Sequence, residues 1–150
     1  YRGSYEQIAK AIRKYSVNPG LDVVNFYEVV LFSFLTGNAD MHLKNFSLLQ
    51  QPVSGMALSP AYDLLATALV NPSDDEDLAL TLNGKKNKIG KSDFVRAFNA
   101  STLDAKQQVQ IFGRMEKARK AWEDMIGISF LSPDLKLQYL DLLKERFGRL

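Results

Sequence analysis

The segment Gly37-Asn38-Ala39-Asp40-Met41-His42-Leu43-Lys44-Asn45 gathers an Asp, a His, a Lys and two Asn directly after a strongly apolar stretch. Asp40 and Asn45 lie five residues apart, close enough in a tight loop to aim a carboxylate and an amide oxygen into one cleft. There the carboxylate can accept a hydroxyl proton while the amide oxygen ligates Mg²⁺. Eighteen residues past Asn45, Ser59-Pro60-Ala61-Tyr62-Asp63-Leu64-Leu65 carries a second carboxylate, Asp63, that can return to the same cleft as the other metal ligand. Mg²⁺ is a hard cation that prefers carboxylate and amide oxygens plus phosphates over an all-protein cage, and this set supplies that combination. The spacing Asp-x-x-x-x-Asn alone is weak, because polar side chains at a helix end also satisfy their own backbone. Asp63 alone reads as a turn residue.

The residues around this set have blander readings. His42 is the only His, so it lacks a fellow ligand and reads as a hydrogen-bonded organiser of the loop rather than a base or metal ligand. Lys44 stays open between a phosphate contact and an ion pair to Asp40. Asn38 reads as part of the helix end rather than as a ligand. The acidic run Asp74 to Asp77 lacks the alternation and the Gly of a calcium loop and reads as a solvated face. Lys85-Lys86-Asn87-Lys88 reads as a soluble hairpin tip. Lys117, Arg119 and Lys120 are interrupted by Glu116, Glu123 and Asp124, which does not make a nucleic-acid stripe.

The elements that must position the site follow from apolar spacing. Ser4 and Gln7 pair as a capping box ahead of a helix over about 5–15, with Ile8, Ala11, Ile12 and Tyr15 on one face. Asn18-Pro19-Gly20 breaks it, and Asp22 can cap a second helix to about Thr36. That helix is apolar on nearly every face and therefore central. Gly37-Asn38 ends it. Phe46 to Leu49 and Met56 to Leu58 flank Gln50-Gln51-Pro52-Val53-Ser54-Gly55 as a hairpin. Leu64 to Val70 is ambiguous between strand and helix. Leu78 to Leu82 and Lys88-Ile89 flank Asn83-Gly84 as a second hairpin. Ser92 caps a short helix to about Ala100. Asp104 and Gln107 open another to about Ile126, with Val109, Phe112, Met115, Ala118, Trp122 and Met125 as its core stripe rather than a cofactor box. Ser132-Pro133 opens the last, with Leu135, Tyr139, Leu142, Leu143 and Phe147 on its apolar side. The fold class is mainly α with small β-hairpins (α+β).

Composition removes other function classes. The 150 residues contain 19 Lys plus Arg against 17 Asp plus Glu, a balance too even to imply a polyanionic partner. The absence of Cys excludes thiolate zinc sites, disulfides and a catalytic thiol, and fits a reducing compartment. No apolar run approaches the ~18 residues of a membrane span. The chain reads as one domain over 1–150. Its opening Tyr1-Arg2-Gly3 reads as a piece of a longer protein.

The stretches Phe34-Leu35-Thr36-Gly37-Asn38-Ala39-Asp40-Met41-His42-Leu43-Lys44-Asn45-Phe46-Ser47 and Leu58-Ser59-Pro60-Ala61-Tyr62-Asp63-Leu64 resemble the C-terminal lobe of HipA-like serine/threonine kinases, toxins of bacterial toxin–antitoxin systems. The division of labour between Asp40 and Asn45 is that of a kinase catalytic loop, and Asp63 stands where kinases place a second metal ligand. The resemblance implies ATP and Mg²⁺ as cofactors, Asp40 as catalytic base, and Asn45 and Asp63 as metal ligands. His42 and Lys44 complete the catalytic loop by shaping it, and Lys44 can also steady a phosphate. It further implies a protein substrate such as an aminoacyl-tRNA synthetase, a DNA-binding antitoxin as partner, and the bacterial cytoplasm as location. The departure is the missing N-terminal lobe: only Gly3, Gly20 and Gly37 precede Asp40, so no phosphate-covering glycine loop is present. This chain alone should therefore fold and be catalytically silent. The alternative is an inactive docking module that binds an antitoxin or a separate N-terminal lobe.

Overall fold

The structure is a computed structural model that describes residues 2–52, 55–71 and 75–150. In chain order the elements are α1 (Tyr5–Tyr15), α2 (Pro19–Thr36), a 3-10 turn (Leu43–Asn45), β1 (Leu48–Gln51), β2 (Gly55–Leu58), α3 (Thr67–Val70), α4 (Lys91–Ala100), α5 (Ala105–Ile128) and α6 (Pro133–Gly148). The fold is mostly helical, with β1 and β2 pairing antiparallel, Leu48 opposite Leu58 and Gln51 opposite Gly55. Val53 and Ser54 of the expected hairpin loop, and Pro72 to Asp74 of the acidic stretch, lie outside the described residues.

Everything is arranged around α2. Val23, Phe26, Tyr27, Val30, Leu31, Phe34 and Leu35 are fully buried, and α1, α5, α6 and β2 all pack on this helix. Each such side chain contributes about 1.5–3 kcal/mol by leaving water. The helix begins at Pro19 rather than Asp22, because proline's fixed φ suits the first helical position and its missing N–H has no partner to lose there. Asp22 is instead a buried first-turn residue. Its Oδ2 accepts from Ser16 Oγ at 2.6 Å and from the Leu58 N–H at 2.8 Å, tying the start of α2 to β2. At the other end Gly37 adopts φ +72°, and the Asn38 N–H returns to Ser33 O at 2.8 Å. A Cβ on Gly37 would stand 2.5 Å from Leu142 Cδ2.

The Ser4–Gln7 capping box forms as expected, but α1 buries Tyr5, Ile8, Ala9 and Ile12, leaving Ala11 and Tyr15 exposed. The buried face is thus turned toward Tyr5 and Ala9, with the Tyr5 ring 6.3 Å from that of Phe26 on α2. The Asp104–Gln107 box also forms, and α5 runs on to Ile128. Met115 is buried, and Phe112 and Trp122 pack on the core, whereas Val109 is 72% and Met125 66% exposed and Ile111 takes the central place. Ser132 caps α6. Ser92 does not cap α4: Gly90 holds that position, and Asp93 accepts its N–H at 3.1 Å.

The second expected hairpin does not form a ladder. Leu82 and Lys85 exchange a single pair of backbone bonds around Asn83 and Gly84, whose φ values of +50° and +77° are those of a tight turn. Leu78, Ala79, Leu80 and Leu82 are all fully buried, so the segment has no solvent face and no alternation to register a strand. Its backbone pairs elsewhere, Thr81 with Gly3 and Tyr5, Leu78 with Lys86. Leu64 to Val70 resolves into irregular chain followed by the single turn of α3.

The acidic stretch departs furthest from expectation. Asp77 is only 5% exposed and receives two guanidinium bonds from Arg149, at 2.8 and 2.9 Å, one contact from Arg146 at 2.5 Å and the Ile89 N–H at 2.9 Å. Both guanidinium groups also lie against the Phe34 ring, 4.9 and 5.0 Å from its centroid. A buried carboxylate persists only when paired in this way. Burial alone would raise the Asp77 carboxyl, but the Arg149 and Ile89 hydrogen bonds and the two arginine charges outweigh it and hold the group below the usual carboxylate range.

Gly37→Ala should destabilise the protein by about 2 kcal/mol or more, through left-handed backbone strain and the clash with Leu142, read as a lower urea midpoint. Because the folded-state pKa of Asp77 is lowered, its contribution is present above the unfolded-state value and lost as pH falls through the folded one. The urea midpoint should therefore decline below about pH 5, where unfolded carboxyls begin to take up protons, and Asp77→Asn should flatten that decline while lowering the midpoint at neutral pH.

Candidate functional site

The loop that carries Asp40 starts where α2 must leave the core. Its first residues are pinned from the segment after Asp63: Gly37 O accepts the Ala68 N–H and Thr67 Oγ1 accepts the Ala39 N–H, both at 2.9 Å. Asn38 is 1% exposed, its Oδ1 accepting the Asp40 N–H at 3.1 Å and its Nδ2 donating to Asp63 O at 3.4 Å. Met41 is fully buried, and its carbonyl accepts the Tyr5 hydroxyl at 2.9 Å. Burial pushes the Tyr5 phenol far up, so this hydroxyl stays protonated and remains a donor. With Met41 anchored inward, Asp40 is turned to solvent, its side chain 53% exposed.

The 3-10 turn that follows is closed by two side chains. His42 Nδ1 accepts the Lys44 N–H at 3.2 Å, and Asn45 Oδ1 accepts the His42 N–H at 3.1 Å. A neutral ring accepting at Nδ1 carries its proton on Nε2, the atom 4.0 Å from Asp40 Oδ1. His42 is thus a loop organiser that also reaches toward Asp40. Lys44 lends the loop its main chain and leaves its side chain exposed; it forms no ion pair with Asp40 among the described residues.

Asn45 is buried, and its Nδ2 donates to Asp63 Oδ2 at 2.6 Å. The β1–β2 hairpin makes this contact between sequence-distant residues, with Ser59 N–H on Ser47 O at 2.9 Å at its base and the Tyr62 hydroxyl donating to Lys44 O at 2.8 Å. Asp63 is exposed and holds φ +56°, a left-handed conformation that Asp tolerates better than most residues. Among the described residues no three His, Cys, Asp or Glu form a metal cage. The Asn45 amide meets Asp63 through its nitrogen while its oxygen accepts the His42 N–H, so Asn45 Oδ1 and the Asp63 carboxylate are the oxygens here that fit a hard divalent cation, with phosphate and water as its remaining ligands. The second lone pair of Asn45 Oδ1 and the Oδ1 atom of Asp63 lie outside the bonds described.

The structure therefore joins Asn45 to Asp63 directly, sets His42 beside Asp40, and leaves Lys44 pointing outward. Spacing did not mark Asn38, Tyr5 or Thr67 as supports of this loop, since each acts through a bond to distant main chain. Tyr62 stood next to Asp63 in the second motif, which was the one available signal.

Residues 1–122 match the family of HipA-like C-terminal domains, and the chain belongs to that family. Among curated proteins it is 32% identical over 124 residues to a protein of Sinorhizobium fredii named "Putative kinase Y4dM", covering 81% of this chain and 30% of that one. It is 36% identical over 64 residues to a second protein from the same organism, "Putative kinase Y4mE", covering 43% of this chain and 15% of the other. HipA of Shewanella oneidensis MR-1, solved in a complex with HipB and operator DNA, superposes with a TM-score of 0.82 at 23% identity over 98% of this chain and 35% of its own. That likeness establishes the fold. The chain spans about a third or less of the length of these relatives. Among the described residues no helix is long and apolar enough to cross a membrane.

His42→Ala should speed amide exchange at Lys44 by about tenfold or more without unfolding the chain, since that N–H loses its acceptor. His42→Asn should largely restore protection, because an Asn oxygen reaches the N–H two residues on. Residue-resolved hydrogen exchange checks both.

Proposed function

We propose that this chain is the catalytic C-terminal lobe of a Mg²⁺-ATP-dependent serine/threonine protein kinase of the HipA-like toxin class. The observation that carries this reading is the 2.6 Å bond between Asn45 and Asp63, which sets an amide and a carboxylate from distant segments side by side next to the loop of Asp40. Asp40 orients a Ser or Thr hydroxyl and takes its proton as that oxygen bonds to the γ-phosphorus and ADP departs. Asn45 and Asp63 would hold Mg²⁺, which would offset the charge of the phosphates. Exposed Lys44 is free to approach a phosphate, and His42 keeps the turn in shape. The rest of the parent protein, or a separate chain, supplies the lobe that covers the nucleotide.

The same reading includes two partners. The substrate is a protein, with an aminoacyl-tRNA synthetase or another translation component as the candidate class. A DNA-binding antitoxin restrains the kinase, in keeping with the HipA relative solved with HipB and operator DNA. DNA contact then belongs to the antitoxin, and the site of action is the bacterial cytoplasm.

The full-length parent should transfer phosphate from ATP to a protein hydroxyl in a Mg²⁺-dependent manner, read with γ-labelled ATP. Asp40→Asn at unchanged thermal midpoint, and Asp63→Ala while still folded though with a lowered midpoint, should each reduce transfer by about 10²- to 10⁴-fold. Retained transfer in both variants, or none in the folded parent, would overturn the assignment. The isolated chain should be folded and inactive.

A further inference from the structure

We propose that Asn38 is a positioning residue that sets Asp40 against Asp63, so that its side chain tunes both turnover and Mg²⁺ demand. This rests on the kinase reading above. The side chain is not needed to end α2: that task falls to the left-handed Gly37 and to the main-chain N–H of Asn38 on Ser33 O. The buried amide is spent elsewhere. Its oxygen fixes the Asp40 N–H, and its nitrogen holds the carbonyl of Asp63.

The two ends of this bridge fall on the proton acceptor and on a metal ligand. Asp63 sits in a left-handed conformation that is uncommon for an L-residue, though Asp tolerates it, and its neighbours fix it there. Two amides do so, Asn38 on its main chain and Asn45 on its carboxylate. The bridge requires one donor and one acceptor on a short planar group. Asp in this place would keep the acceptor for Asp40 but turn a carboxylate oxygen on the Asp63 carbonyl. Ala would remove both bonds. Neither change touches a group that meets nucleotide or substrate.

The test uses the full-length parent with Asn38→Asp and Asn38→Ala, each checked for a wild-type thermal midpoint. Two readouts are taken: amide exchange at Asp40 and Asp63 without nucleotide, and Mg²⁺ titration of phosphoryl transfer at saturating ATP. Asn38→Ala should exchange faster at Asp40, whereas Asn38→Asp keeps that acceptor and its protection there; both should lose about 10- to 100-fold in kcat and need several-fold more Mg²⁺ for half-maximal rate. Folded variants with wild-type kcat and Mg²⁺ half-saturation would overturn the proposal. So would a loss of rate matched by a loss of folded protein with Mg²⁺ half-saturation unchanged, or failure of both variants to fold, either of which makes Asn38 merely structural. A folded parent inactive at every Mg²⁺ concentration defeats the kinase reading and this inference together. An active parent that Asp63→Ala silences, with Asn38 variants unaffected, defeats only the positioning role.

Discussion

The constraint on which the rest depends is that α2 is apolar on nearly every side and must end inside its own covering. A helix of that kind cannot fade into solvent; it has to be stopped by a residue that reverses the backbone without needing room. Gly37 does this, with Leu142 and Ala68 packed against the place where a side chain would be. The chain leaves the core at a fixed point and in a fixed direction. The loop bearing Asp40 inherits that geometry rather than creating it.

From that point, short polar contacts replace apolar packing as the source of order. The side chains of Asn38, Tyr5, His42 and Asn45 each hold the loop by a bond that ends on its main chain. Main-chain partners make the arrangement insensitive to which residues lie on the outside. The second motif is held to the first by the hairpin, by Tyr62 and by the Asn45–Asp63 bond, so the two stretches behave as one unit although Asp63 lies 18 positions past Asn45.

Much of this was legible in the sequence. Three of the helix starts are written in local side chains, Ser4, Asp104 and Ser132, whose bonds span three residues and need no tertiary knowledge. The apolar character of α2 announced its central place, and the pairing of Asn45 with Asp63 was implied by the hairpin between them. What could not be read depended on long-range contacts. Asp77 looks like part of a solvated run because its two arginine partners stand some 70 residues away. Leu78 to Leu82 looks like a strand, yet its alternation fails once both sides are buried. Asn38 looks like a helix stop because the carbonyl it serves belongs to a later segment.

The loop also divides by direction. Asn38, Met41 and Asn45 face inward, while Ala39, Asp40, His42, Leu43 and Lys44 are exposed or partly so. The inward positions, together with the His42 ring, carry the bonds and have little freedom to change. Leu43 and the side chain of Lys44 carry none of them, so sequence drift there leaves the backbone of the site where it is. Substitutions on the outer positions can therefore change what this surface presents to its surroundings without moving the backbone that carries Asp40.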